Sequence, residues 1–227
     1  NDDINLNRYR YGDAIKDNSN SIEVHGGSSN DVHSPVIAKF SDNSYVVVWH
    51  YVTYWATNYL KYQNDIDIMY QFFDKDDNKI QPNPTTTSTS SMRVNQDDSR
   101  KIARNPKVAT FSNDTWIVVW EEEGRSGGSG VDIIMQRYNK DGTTIGVNTF
   151  VNTQRSGDQQ RASIAVFSDD SFTIFYDSMN EDNYFINTFF QRFDASGVPI
   201  GTEQKLVDDN LREDPTAYVT ADDHVLL

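Results

Sequence analysis

The stretch FSDNSYVVVW, Phe40–Trp49, recurs twice with little change, as FSNDTWIVVW at Phe111–Trp120 and as FSDDSFTIFY at Phe167–Tyr176. Each copy has an aromatic, a four-residue polar turn, a second aromatic, and an apolar run that closes on a third aromatic. Self-similarity at a roughly fixed spacing marks a repeat architecture, so the chain reads as copies of one unit. The match extends in both directions. After the apolar run come DIMYQFFDKDDNKI from Asp67, DIIMQRYNKDGTTI from Asp132 and INTFFQRFDASGVPI from Ile186. MRVNQDD from Met92, TFVNTQRSGD from Thr149 and QKLVDDN from Gln204 follow.

The segments are rich in β-branched and aromatic residues and are bounded by Asp, Asn, Ser and Gly, which is strand-and-turn chemistry. The polar turns SDNS, SNDT and SDDS suit Asn and Asp, whose side chains bond their own backbone and tolerate the left-handed region. In the later turns NKDGT and DASGV, Gly142 and Gly197 supply the positive φ. Four antiparallel strands per unit of ~55 residues is the pattern of a propeller blade. The units occupy residues 35–95, 106–152 and 162–207, with a split fourth made of 215–227 and 4–24. The expected fold class is all-β: a β-propeller of four-stranded antiparallel repeats, about four blades, one divided between the termini. In a closed ring the two half-units complete one blade. In an open array their edges pair with another chain, because an unpaired strand edge is unfavourable.

Composition bounds the function. The 227 residues carry a formal charge of −14. That disfavours nucleic acid as a partner, since phosphate binding needs concentrated Lys and Arg. The absence of cysteine excludes disulfides, thiolate metal sites and a cysteine nucleophile. No apolar run reaches 18 residues, so no helical membrane span is expected. The sequence opens without Met and stops within the apolar run of DDHVLL, as expected of a processed chain or part of a larger protein.

The second unit, Asn105–Asn152, holds the paired Val118–Val119 and terminal Trp120, the Gly-rich GRSGGSGVD, then QRY and VN. The third keeps QRFDASGVPIG. These motifs resemble repeats of large secreted and surface proteins of bacteria, of the RTX-adhesin type. The resemblance covers nearly the whole chain and implies extracellular or cell-surface display, with no particular reaction.

Candidate chemistry is sparse. Glu121, Glu122 and Glu123 follow the second strand of their unit, and Glu181 and Asp182 follow that of the next. On a shared rim they are candidates for a cation site, a glycan contact or a glycosidase carboxylate pair. The turns Asp74–Asn78 and Asn139–Thr143 faintly resemble calcium loops but lack the bidentate Glu of an EF-hand, so no cofactor is expected beyond a weak case for Ca²⁺. The four histidines show no metal-binding spacing. The aromatic insertion at His50–Tyr62 reads as a loop whose Tyr51, Tyr54, Trp55, Tyr59 and Tyr62 contact a partner or stack on sugars. Asn113 opens a glycosylation sequon in an exposed turn, and Thr85, Thr86, Thr87 and Ser88 lie in a Pro-bounded tract suited to O-glycans.

Three readings follow. The leading expectation is a non-enzymatic extracellular structural or adhesive module, partnered by itself through its half-blades or by other surface proteins and glycans. The alternatives are a carbohydrate-binding propeller and a glycoside-acting enzyme that uses the rim carboxylates.

Overall fold

The computed structural model describes residues 4–6, 22–25, 31–55, 63–81, 91–96, 102–124, 130–179, 186–206 and 215–226. Three units form complete antiparallel sheets. Unit I holds β3 (Asp31–Lys39), β4 (Tyr45–Trp55), β5 (Gln63–Phe73), β6 (Lys79–Ile80) and β7 (Met92–Arg93). Unit II holds β8 (Ala103–Thr110), β9 (Trp116–Glu123), β10 (Val131–Tyr138) and β11 (Thr144–Phe150). Unit III holds β12 (Gln159–Val166), β13 (Phe172–Met179), β14 (Ile186–Phe193) and β15 (Pro199–Lys205). Strands pair in sequence order in units II and III. In unit I the fourth strand is broken into β6 and β7, both paired with β5, and the Pro-bounded tract falls between them. Two separate two-stranded sheets remain: β1 (Ile4–Leu6) with β2 (Ile22–His25), and β16 (Tyr218–Val219) with β17 (Val225–Leu226).

The repeated aromatics explain how the sheets stack. Successive strand side chains point to opposite faces. From each second strand, one set therefore faces the preceding unit and the other the following one. Trp116, Val118 and Trp120 meet Val46, Val48, Tyr70 and Phe72 of unit I. Phe172, Ile174 and Tyr176 meet Ile117, Val119, Ile133 and Met135 of unit II. Tyr45, Val47 and Trp49 meet Val24 of β2. Trp49, Trp120 and Tyr176 thus occupy equivalent positions, each 0% exposed, and each faces the preceding element. The first strands β3, β8, β12 and β16 follow one another on the inner side. The fold is a β-propeller of four-stranded antiparallel blades.

The other conserved-looking positions of the repeat are structural. Gln71, Gln136 and Gln191 sit where the third strand meets a bulged fourth. Each donates to the next residue's carbonyl and to the carbonyl of the facing strand, at 2.9 and 3.1 Å, 2.8 and 3.2 Å, and 2.8 and 3.5 Å respectively. The VN motifs close the unit: Asn95 and Asn152 accept the amides of Ile68 and Ile133, at 3.0 and 2.8 Å. They also donate to Asp67 and Asp132, both at 2.7 Å.

The turns between first and second strands carry a second connection. Asp42, Asn113 and Asp169 cap their own turns by accepting the amide two residues on. Asn43, Asp114, Asp170 and Asp223 take the left-handed conformation, with φ of 67°, 62°, 63° and 59°. That geometry aims the aspartates at the unit before. Ser41 donates its amide (2.8 Å) and hydroxyl (2.7 Å) to Asp114. Ser112 does the same to Asp170, at 2.8 and 2.6 Å. Ser168 donates its amide (3.0 Å) and hydroxyl to Asp223. Each unit is thereby clasped to the next. Lys140 reinforces the first junction, lying over the Phe40 ring and bonding Asp42 (2.8 Å) and Asp114 (2.9 Å). The Lys140 contact holds the Asp42 carboxyl down at about 2.

Two sequence expectations are corrected here. The aromatic insertion of unit I is not simply a loop, because β4 and β5 continue as a regular ladder to the Trp55–Gln63 pair. Its β-branched and aromatic residues favour the extended sheet. Tyr51, Tyr54 and Trp55 therefore belong to β4, while Tyr59 and Tyr62 lie outside the described residues. Glu121–Glu123 likewise belong to β9 rather than to the loop after it.

Candidate functional site

The inner strands do not run straight. Each is bulged at one repeated position, where Ser34, Asn105 and Arg161 adopt φ of 52°, 53° and 58°. A long, non-glycine side chain in this region is uncommon. In chain order the bulges are followed by Pro35, Pro106 and Ala162. They turn three successive units toward one pocket of about 450 Å³, whose lining includes Ser34, Asn105, Lys107, Glu121, Gln160 and Arg161.

Glu121 forms the buried wall of this pocket, at 2% exposure. One carboxylate oxygen accepts the Arg161 amide (2.8 Å). The other accepts from Asn105 Nδ2 (2.9 Å) and Arg104 Nε (3.2 Å). A carboxylate with three donors, one from the next unit's bulge and two from its own unit's first strand, is held in one orientation. His50 and Asp177 are its counterparts in units I and III. His50 Nδ1 accepts the Asn105 amide at 3.4 Å, repeating the Glu121–Arg161 link one junction earlier. Burial, together with His33 and Arg104 nearby, brings the His50 imidazole down to about 4, so it is neutral at pH 7. Asp177 is fully buried, accepts the Thr188 hydroxyl at 2.9 Å, and faces Arg161 Nη1 at 3.4 Å. Arg161 therefore touches both carboxylates, one through its backbone and one through its guanidinium.

The other sequence candidates are dispersed. Glu122 faces away from Glu121 and accepts from Trp120 Nε1 at 2.9 Å, while Glu123 pairs with Arg104 at 3.3 Å. Glu121 and Glu123 share one face of β9 and both pair with Arg104, while Glu122 between them points the other way, because alternate strand positions face opposite sides. Glu181, Asp182, Thr85, Thr86, Thr87 and Ser88 lie outside the described residues. Asn113 is in an exposed turn, where its Oδ1 accepts the amide and hydroxyl of Thr115 at 2.9 and 2.7 Å. Asp74 accepts the amides of Asp76 and Asn78, both at 2.9 Å, and so serves its own turn. Among the described residues no group of three or more acidic or histidine side chains is arranged to hold a metal ion. Sequence reading missed Ser34, Asn105, Lys107, Gln160 and Arg161. The available signal for Ser34, Asn105 and Arg161 was their shared repeat position, followed by Pro35, Pro106 and Ala162; Lys107 and Gln160 carried no such signal.

No family model matches the chain, and no curated protein does. Solved structures are similar in fold. An α-L-arabinofuranosidase from Lactobacillus brevis aligns with a TM-score of 0.52 at 10% identity, over 90% of this chain and 67% of that one. An N-acetylgalactosamine deacetylase from F. plautii, in complex with blood group B trisaccharide, gives 0.48 at 11% identity, over 87% and 62%. A glycosyl hydrolase from Bacteroides ovatus gives 0.42 at 10% identity, over 78% and 52%. Of these three, the first exceeds a TM-score of 0.5, and at this identity the likeness is one of fold. The leading expectation of a non-enzymatic structural or adhesive module is corrected on this finding: the fold is similar to that of an enzyme acting on a glycoside.

Proposed function

We propose that this chain is the sugar-engaging propeller of a glycoside-acting protein and that the sugar sits in the pocket between the inner strands. The observation that carries this reading is the set of three left-handed bulges, which turn Ser34, Asn105 and Arg161 of successive units into one polar pocket. Backbone strain repeated at one pocket is a feature of functional sites. A pocket lined by hydroxyl, amide, ammonium and guanidinium groups suits a polyhydroxylated ligand, which needs donors and acceptors on several sides at once.

Glycoside hydrolysis uses two carboxyl groups, one to protonate the leaving oxygen and one to activate water or attack the sugar. Glu121 and Asp177 are the buried carboxylates that meet at Arg161. We assign them as the acid–base pair and Lys107 and Gln160 as sugar-binding groups. The test combines calorimetric titration with arabino-, xylo- and galacto-configured oligosaccharides and release of nitrophenol from the corresponding aryl glycosides. Binding that Lys107→Ala and Gln160→Ala weaken about tenfold, a loss of about 1.4 kcal/mol, supports the site. Turnover that disappears in both Glu121→Gln and Asp177→Asn, with binding retained, supports the pair. If no sugar binds the folded wild-type chain, the reading fails.

A further inference from the structure

The inner pocket carries charges that the fold does not require. Two residues beyond the bulges Ser34, Asn105 and Arg161 stand Val36, Lys107 and Ser163, which pair in one shared register with Val48, Val119 and Phe175. Val36 and Ser163 build their strands without a charge, so the repeat does not call for a lysine at 107. Arg161 likewise stands where units I and II hold the neutral Ser34 and Asn105, at the same left-handed φ. That region favours small residues and Asn, so a long arginine gains nothing there from its backbone. Both departures from the repeat supply a cation to the pocket.

The carboxylates around the pocket are already engaged. Glu121 accepts from the Arg161 amide, Asn105 Nδ2 and Arg104 Nε. Close by, Glu123 pairs with Arg104, and Asp158 accepts the Val131 amide at 3.0 Å. Arg161 reaches Asp177 through Nη1, at a long 3.4 Å, and its side chain stays 34% exposed. Lys107 is exposed, and among the described residues it makes no ion pair or hydrogen bond. In a chain of formal charge −14, a pocket lined by Lys107, Arg161 and a satisfied Glu121 is a local reversal of sign. Inside a concave wall solvent screens such a cation less, so it attracts an anion more strongly than an open surface would.

We infer that the sugar taken by this pocket is anionic, and that its oxyanion, a uronate carboxylate or a sulfate ester, pairs with Lys107 and with the guanidinium nitrogens of Arg161 not used on Asp177. The planar guanidinium matches two oxygens of such a group, and the ammonium adds a point charge beside it. A neutral sugar would meet the hydroxyl and amide walls but leave the ammonium without a counter-charge. The inference rests on the reading of the pocket as a sugar site and narrows the class of sugar it takes.

The test is calorimetric titration of the full chain with oligosaccharides matched in length and configuration: galacturonic against galacto, glucuronic against gluco, and galactose 6-sulfate against galactose. An acidic member is expected to bind about tenfold more tightly than its neutral counterpart, a difference of about 1.4 kcal/mol. The advantage should shrink as salt rises from about 50 to about 200 mM. Lys107→Gln keeps a donor and loses the charge. It should erase the advantage while changing neutral binding by less than about threefold, and Lys107→Arg should retain it. The acidic pair with the larger advantage tells carboxylate from sulfate. Equal binding of acidic and neutral members, or an advantage that survives Lys107→Gln, overturns the inference and leaves the sugar site standing. Free acetate or sulfate binding as tightly as the acidic sugar also overturns it, since the pocket would then hold a bare anion. If no sugar binds, the inference and the reading of the pocket fail together. Lys107 is exposed, so its variants should fold, which circular dichroism verifies.

Discussion

Replacing Gln136 by Met removes a buried polar hinge while nearly keeping its volume. The Gln136 amide donates to the carbonyls of Arg137 (2.8 Å) and Ile145 (3.2 Å), and its oxygen accepts from Asn148 Nδ2 (2.8 Å). The side chain is 1% exposed, so water cannot simply take its place. A buried group stripped of its partner costs about 1–3 kcal/mol, and two carbonyls lose a donor here. Thioether packing recovers part of that, which leaves an expected loss of about 2–4 kcal/mol. For a chain of this length each kcal/mol lowers Tm by about 2–4 °C, so the melt should fall by about 5–15 °C. Gln191→Met supplies the internal control. Its second bond is 3.5 Å long, and its cost should be about 1–2 kcal/mol. Urea denaturation, with folding verified by near-ultraviolet circular dichroism, measures both. If Gln136→Met costs less than about 0.5 kcal/mol, or less than Gln191→Met, the repeated glutamine does not hold the bulge and the reasoning is refuted.

Other outcomes follow from the same contacts. Trp120→Ala should cost about 3–5 kcal/mol in urea denaturation, because a fully buried indole between units I and II leaves a cavity. Acid should destabilise the chain in two windows, resolved by denaturation at a series of pH values. His50 is held neutral, with its folded value depressed to about 4, so stability is complete above the unfolded value near 6.5 and declines as pH falls from there toward 4. His50→Gln should flatten that upper window. Asp42 is held ionised, so its contribution is present above its unfolded value near 3.9 and is lost as pH falls toward 2. Because hydrogen bonding to Lys140 is the main cause, Lys140→Gln should bring the folded value up toward the unfolded one and so shrink this lower loss.

The repeat, the strand order within each unit and the turn chemistry were legible from residues alone, because they rest on short-range physics. Alternation of apolar residues, Asn and Asp in left-handed turns, and a glutamine at one spacing are all visible in a linear string. Trp49, Trp120 and Tyr176 could be equated before any coordinate was known, since their equivalence follows from the repeat. What such reading misjudged were segments whose meaning depends on the partner strand. Tyr54 and Trp55 looked like loop aromatics until the ladder between β4 and β5 placed them in a strand. Glu121, Glu122 and Glu123 looked like one acidic cluster until the pleat put Glu121 and Glu123 together on Arg104 and turned Glu122 to the other face, onto Trp120.

The amino-acid sequence by itself determined a chain of four-stranded β units and the residues that shape each turn. Tertiary structure alone decided which residues meet across units. The serine–aspartate clasps join positions 73, 58 and 55 residues apart, and the inner pocket gathers one bulge from each of three sheets. No local pattern encodes such a meeting. It arises because burying an aromatic face on both sides of every sheet curves the units around a common inner side, and that curvature brings Ser34, Asn105 and Arg161 together.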